Sequence, residues 1–332
     1  MKYKPPFPWF GGKSRVSHIV WQRFGDVANY VEPFFGSGAV MFMRPTAPKI
    51  ETVNDKDCMV ANFFRAVKHA PDKVASWADS QVNEADLTAR HTWLVEQLKT
   101  EFAEGMNTNP DYYDAKIAGW WVWGICCWIG SGWCDAGNGV HRQLPSLGTA
   151  GKGVHRKRPH LGNAGKGVHR KLPHLGDAGQ GVHRKLPHLS DAGLTGYFKS
   201  ISDRLRYTRV CCGDWKRVMG ESVTVAHGVT GVFLDPPYSH DERDSNLYSV
   251  DEDIATAVRD WAIANGENPL LRIALCGYDT EHVMPKGWDN VHWKTKGGYS
   301  NQSDSSRAKE NTRRETIWFS PHCLNTRQKS LF

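Results

Sequence analysis

Short apolar runs alternate with helix-like segments at both ends of this 332-residue chain, and that alternation predicts an α/β sheet domain. Upstream, strands are expected at Asn29–Glu32 and Ile50–Val53, each followed by a helix, from Ser37 and from Lys56. Downstream, strands at Arg209–Cys212, Gly231–Leu234, Leu270–Cys276 and Glu315–Ser320 are spaced by helices near 215–220 and over 251–265. Between the two ends, residues 84–104 and 111–129 read as helices. The second carries Ile117, Trp120, Trp121, Trp123, Ile125 and Trp128, is apolar all round, and is therefore expected to be buried.

A 14-residue unit beginning at Gly137 recurs four times over 137–192, each copy carrying Gly-Val-His-Arg. Paired glycines and a proline in every unit exclude a continuous helix, leaving short extended stretches joined by turns. The segment holds ten Lys/Arg against two acids, so it carries essentially the whole surplus of a chain whose net charge is +7. A concentrated basic block suits an acidic polymer, because neutralising phosphates supplies most non-specific nucleic-acid affinity. Arg142, Arg156, Arg170 and Arg184 are the candidate DNA contacts, to phosphates or, with bidentate geometry, to guanine edges. The bland alternative is a solvated basic loop. A metal site built from the repeat histidines is disfavoured.

No run of ~18 apolar residues predicts a membrane span. The start, Met1 to Pro6, does not resemble a secretory signal. Eight cysteines without a Cys-x-x-Cys pair point to reduced thiols in a cytoplasmic protein, with no metal site.

Three short strings carry the chemistry. Phe10-Gly11-Gly12-Lys13-Ser14 alone is a common loop. In Glu32-Pro33-Phe34-Phe35-Gly36-Ser37-Gly38 a strand ends in a glycine turn at a helix start, where free N–H groups meet a carboxylate or phosphate. The spacing is not the dinucleotide Gly-x-Gly-x-x-Gly, which disfavours a nicotinamide enzyme. Asp55, about 20 residues on, stands where an acid commonly accepts ribose hydroxyls, though a helix cap is equally common. In the third string an apolar strand delivers Asp235-Pro236-Pro237-Tyr238 to its carboxyl end. A carboxylate and a proline carbonyl are acceptors with no competing donor, so together they suit an –NH₂ group, while Tyr238 offers a ring for a base to stack on.

The order Trp9-Phe10-Gly11-Gly12-Lys13, Val31-Glu32-Pro33-Phe34-Phe35-Gly36-Ser37-Gly38, an insert, Asp235-Pro236-Pro237-Tyr238 and Arg313-Arg314-Glu315-Thr316-Ile317-Trp318 resembles the Dam-type DNA adenine methyltransferases. The resemblance covers residues 5–70 and 194–320; the centre departs from the family's pattern. It implies a Rossmann-like sheet with helices on both faces, discontinuous over 1–70 and 194–332, with a mostly helical and loop-rich target-recognition insert at 71–193. It also implies S-adenosylmethionine as cofactor and double-stranded DNA as partner. Glu32, Phe34, Gly36, Ser37 and Gly38 would hold the methionine part of the cofactor, with Trp9 and Lys13 closing over it. Asp55 would take the ribose, Asp214 and Trp215 the cofactor adenine, and Asp235, Pro236, Pro237 and Tyr238 a flipped target adenine. The implied reaction is site-specific transfer of methyl to adenine N6, by either an orphan enzyme or one partnered with a nuclease. Cytosine-N4 methylation, adenine methylation in RNA, and non-catalytic DNA binding are the alternatives. A homodimer is left open. The whole reading requires that the Asp235 carboxylate neither face solvent nor be locked in a salt bridge.

Overall fold

A computed structural model describes residues 3–9, 12–128, 133–134, 193–237, 254–293 and 315–325. The four basic repeats and Tyr238 lie outside the described residues.

Among the described residues seven strands form one sheet: β1 (Asn29–Glu32), β2 (Ile50–Asp55), β3 (Thr208–Cys212), β4 (Thr230–Leu234), β5 (Leu271–Tyr278), β6 (Asp289–His292) and β7 (Glu315–Phe319). Their order is β3-β2-β1-β4-β5-β7-β6. β1 to β5 run parallel, whereas β7 lies antiparallel between β5 and β6. This is the mixed α/β sheet the resemblance implies. Parallel strands buried on both faces read as near-continuous apolar runs, and the period of two sorts their side chains. Val31, Val232, Leu234, Ile273 and Leu275 face one apolar cluster with Val258 and Ala262 of helix α10 (Ile254–Asn265). Tyr30, Phe233, Ala274 and Cys276 face the other.

That second face is covered by α1 (Ser17–Phe24), α2 (Ala39–Phe42), α3 (Cys58–His69), α4 (Pro71–Ala78), α7 (Ala115–Cys127) and α8 (Gly193–Arg204). Phe63 of α3 packs edge-on to Phe198 of α8, ring centroids 5.6 Å apart, and against Trp121 of α7 at 6.1 Å. The tryptophan-rich segment is buried as its composition demands, with Trp121 and Trp123 essentially inaccessible. The single helix expected over 84–104 is instead two, α5 (Glu84–Gln97) and α6 (Glu101–Thr108). Thr100 breaks it by accepting a hydrogen bond from the Phe102 N–H, capping a new start that the acids Glu101 and Glu104 support. Among the described residues no helix is long and apolar enough to cross a membrane.

The strand order reverses beside β1, whose neighbours are β2 on one side and β4 on the other. Open α/β sheets bind ligands in the crevice beyond the carboxyl ends of strands at such a switch point. Glu32 closes β1 there, and Asp235 follows the last residue of β4. Because β7 is antiparallel, its first residue reaches the same edge: Glu315 pairs with Tyr278 at the end of β5.

Candidate active site

Three loops leave the carboxyl ends of β1, β2 and β3 and are stitched together by one buried side chain. The Asn54 Nδ2 donates to the Pro33 carbonyl at 3.1 Å and the Gly213 carbonyl at 3.0 Å. Backbone bonds continue the stitching: Phe35 N–H donates to the Asn54 carbonyl and Gly213 N–H to the Asp55 carbonyl, each at 3.0 Å. Asp55 adds its carboxylate, accepting from Gly36 N at 2.8 Å and Asp57 N at 2.9 Å. Burial, followed by the neighbouring Asp57 charge, pushes the Asp55 carboxyl up to about 7, although the N–H groups of Gly36 and Asp57 oppose the shift.

The β1 loop is a glycine cradle. Gly36 and Gly38 adopt φ of +48° and +70°, the left-handed region that side chains disfavour. A Cβ on Gly36 would stand 2.4 Å from Trp9 Nε1, and one on Gly38 2.7 Å from the Phe35 ring. Trp9 therefore lies against the loop. Ser37 is buried between the two glycines. On the far side of the crevice the Phe34 and Trp215 rings meet with centroids 6.2 Å apart. Asp214 beside them is exposed and caps the following turn, its carboxylate accepting from Lys216 N at 2.9 Å. The glycines give the loop its left-handed turns and let Trp9 and Phe35 pack on it, while the tilted Phe34–Trp215 pair and the Asp55 carboxyl supply the aromatic face and the acceptor that a nucleoside-bearing cofactor takes.

At the β4 edge lies a charged cluster. The Lys13 ammonium is 2.9 Å from Asp235 Oδ1 and 3.6 Å from Glu315 Oε2, and its side chain is only 4% exposed. Burial works against that cation, but Asp235 and Glu315 outweigh it and leave the ammonium more firmly protonated than usual. Burial raises the Asp235 carboxyl, and Lys13 pulls it back. Glu32, buried on the same edge, accepts the Tyr30 hydroxyl at 2.8 Å; burial drives its carboxyl well above the ordinary range. Pro236 is buried and Pro237 half-buried next to the aspartate.

The expectation of an Asp235 carboxylate outside any salt bridge is not met. The ion pair occupies one of its two oxygens; burial still holds this carboxyl above its ordinary value, and the ammonium at 2.9 Å opposes that rise. Lys13, expected over the cofactor, thus sits on the residue expected to hold the base. The cradle and the carboxylate cluster line the same sheet edge. Tyr238, Arg142, Arg156, Arg170 and Arg184 fall outside the described residues. Sequence reasoning missed what Asn54 and Glu315 do. Glu315 left one signal, as the sole charged residue opening a buried strand.

No curated protein matches the chain. A family model matches residues 9–116, a segment that holds Trp9, Lys13, Glu32, the glycine cradle and Asp55 and stops before Asp214 and Asp235. Its description is D12 class N6 adenine-specific DNA methyltransferase, and the similarity to that family spans this first third of the chain.

Proposed function

We propose that the chain transfers the methyl group of S-adenosylmethionine to N6 of an adenine rotated out of duplex DNA, and that Asp235 and Pro236 hold the reacting amine. The observation that carries this reading is the placement of Asp235 and Pro236 at the carboxyl end of β4, at the sheet's switch point and beside the glycine loop that follows β1; the Lys13 pair on one Asp235 oxygen counts against it unless the other oxygen takes the amine. The cofactor, when bound, supplies a methyl group activated by a sulfonium.

The chain's own residues do the rest. Phe34, Gly36, Ser37 and Gly38 would receive the methionine part, with Trp9 beside them; Asp55 would accept from the ribose, and Asp214 with Trp215 would frame the cofactor adenine. An adenine amine is a weak nucleophile because its lone pair is delocalised into the ring. Asp235 accepts one N6 hydrogen and the Pro236 carbonyl the other, which stabilises the positive charge growing on nitrogen. Lys13 favours the ionised form of the carboxyl for that task. Extrusion of the base costs a few kcal/mol, and stacking on Tyr238 would return roughly 1–3 kcal/mol. Arg142, Arg156, Arg170 and Arg184 would follow the DNA backbone.

Replacing Asp235 with Ala tests the assignment. Methyl incorporation into DNA should fall by about 10²–10⁴-fold while DNA binding persists. Near-native turnover in a folded Asp235→Ala protein would remove the residue from the mechanism.

A further inference from the structure

Two thiols meet at the edge of the cofactor cradle, and the proposed reaction uses neither. Cys212 ends β3 and is buried; Cys58 opens α3 and is half-buried, its sulfur 3.6 Å from that of Cys212. Both are free thiols. They differ in reactivity. Cys58 stands in the first turn of a 12-residue helix, where free N–H groups favour a thiolate, and the Asn107 amide reaches its sulfur at 3.9 Å. The hydrogen bond from Cys212 holds the Cys58 thiol below its ordinary range against the opposing effect of burial, while the same bond, followed by burial, pushes the Cys212 thiol up. One thiol reaches solvent and ionises readily; the other is sheltered and protonated. Those are the properties of an attacking and a resolving cysteine.

The pair brackets the residues expected to hold the nucleoside. Cys212 lies in register with Asp55 across β2 and β3, and Gly213 beyond it donates to the Asp55 carbonyl before the chain reaches Asp214 and Trp215. On the other side Asp57, next to Cys58, donates its N–H to the Asp55 carboxylate at 2.9 Å. A disulfide requires the sulfurs to close from 3.6 Å to about 2.05 Å. The sheet holds Cys212, as does the Arg217 guanidinium on its carbonyl, so the movement falls on the Asp57-Cys58 turn that steadies Asp55. We propose that Cys58 and Cys212 are a reversible oxidation site for hydrogen peroxide, and that their disulfide weakens cofactor binding by drawing Asp57 away from Asp55. The Cys58 thiolate attacks the peroxide, breaking its O–O bond and becoming a sulfenic acid. The Cys212 sulfur then displaces that oxygen as water and forms the S–S bond. Two thiols lose two electrons and two protons, and one peroxide becomes two waters. The effect on the cofactor rests on the function proposed above; the disulfide itself does not.

The test treats the full chain with hydrogen peroxide, maps its disulfides by mass spectrometry, and measures S-adenosylmethionine binding by calorimetry before oxidation, after it, and after dithiothreitol. A Cys58–Cys212 cross-link should form and affinity should fall about tenfold, since a hydrogen bond to a carboxylate is worth at least that factor. Dithiothreitol should restore it. Cys58→Ser should bind like the reduced native chain and keep its affinity through peroxide. Cys212→Ser should leave a sulfenic acid on Cys58 that dimedone captures, a readout that stands even if Cys58→Ser fails to fold. Thiols left free by peroxide, or a cross-link through Cys211 instead, would overturn the site. A Cys58–Cys212 cross-link with unchanged affinity would overturn its hold on the cradle. A reduced chain that binds no S-adenosylmethionine would defeat the methyltransferase reading instead, and the cross-link would then decide the oxidation site alone.

Discussion

Replacing Lys13 with Met removes a buried cation while nearly preserving its shape, and the ion pair sets the size of the effect. At 2.9 Å and an effective dielectric constant of about 20, the attraction between Lys13 and Asp235 is about 6 kcal/mol. Desolvation of both groups consumes much of that, and breaking buried pairs typically costs about 3–5 kcal/mol. The sign follows from the opposing influences: burial raises this carboxyl and Lys13 lowers it, so removing Lys13 raises it further. The ionised carboxylate is the stronger acceptor for the amine hydrogen and, unlike the neutral acid, carries the charge that stabilises the transition state. Lys13→Met should therefore lose activity at the acid end and recover as pH rises, the acid limb of its rate profile displaced upward from the native one. Single-turnover transfer to DNA between pH 6 and 10 at saturating cofactor measures this, with a thermal melt at each pH to show that the protein is folded. A folded Lys13→Met with the native acid limb would refute the idea that Lys13 governs the ionisation of Asp235.

Two further outcomes follow from other parts of the molecule. Asp55, at about 7 against an ordinary 3.8, gives up its proton near neutrality; its carboxylate is the better ribose acceptor, so S-adenosylmethionine should bind more tightly as pH rises through 7, and Asp55→Asn should flatten that dependence. The same raised value predicts that stability declines as pH climbs from about 4 to 7, because folding favours the protonated acid. Deleting residues 137–192 should reduce the dependence of DNA affinity on salt concentration if the repeat arginines touch phosphates; an unaltered slope would reject that role.

What the sequence revealed, and what it concealed, follows from the range of the forces involved. β1 is legible to the residue, because the Pro33-to-Gly36 turn stops the strand directly after Glu32, and β4, β5 and β7 are within a residue or two of their expected bounds. β6, Asp289–His292, left no signal: it is a half-polar edge strand whose exposed side chains need no apolar pattern. Helices α1, α4 and α8 were not anticipated, since each hides short apolar stripes among charged residues that make sense only against the sheet's helical layer. The site was legible as three separate strings because glycine turns and Asp-Pro-Pro-Tyr are local chemistry. The coupling of Lys13 to Asp235 and Glu315 is tertiary electrostatics between residues far apart in the chain, and Asn54 acts through carbonyls on two other loops. No local pattern encodes either.

The most direct test is to incubate the purified chain with unmethylated DNA and S-adenosylmethionine, digest the DNA to nucleosides, and weigh them. N6-methyldeoxyadenosine, absent when the cofactor is withheld, is the expected product. Methyl groups found on cytosine N4, or DNA left unmodified by a folded, cofactor-binding protein, would contradict an adenine amine cradled between Asp235 and Pro236.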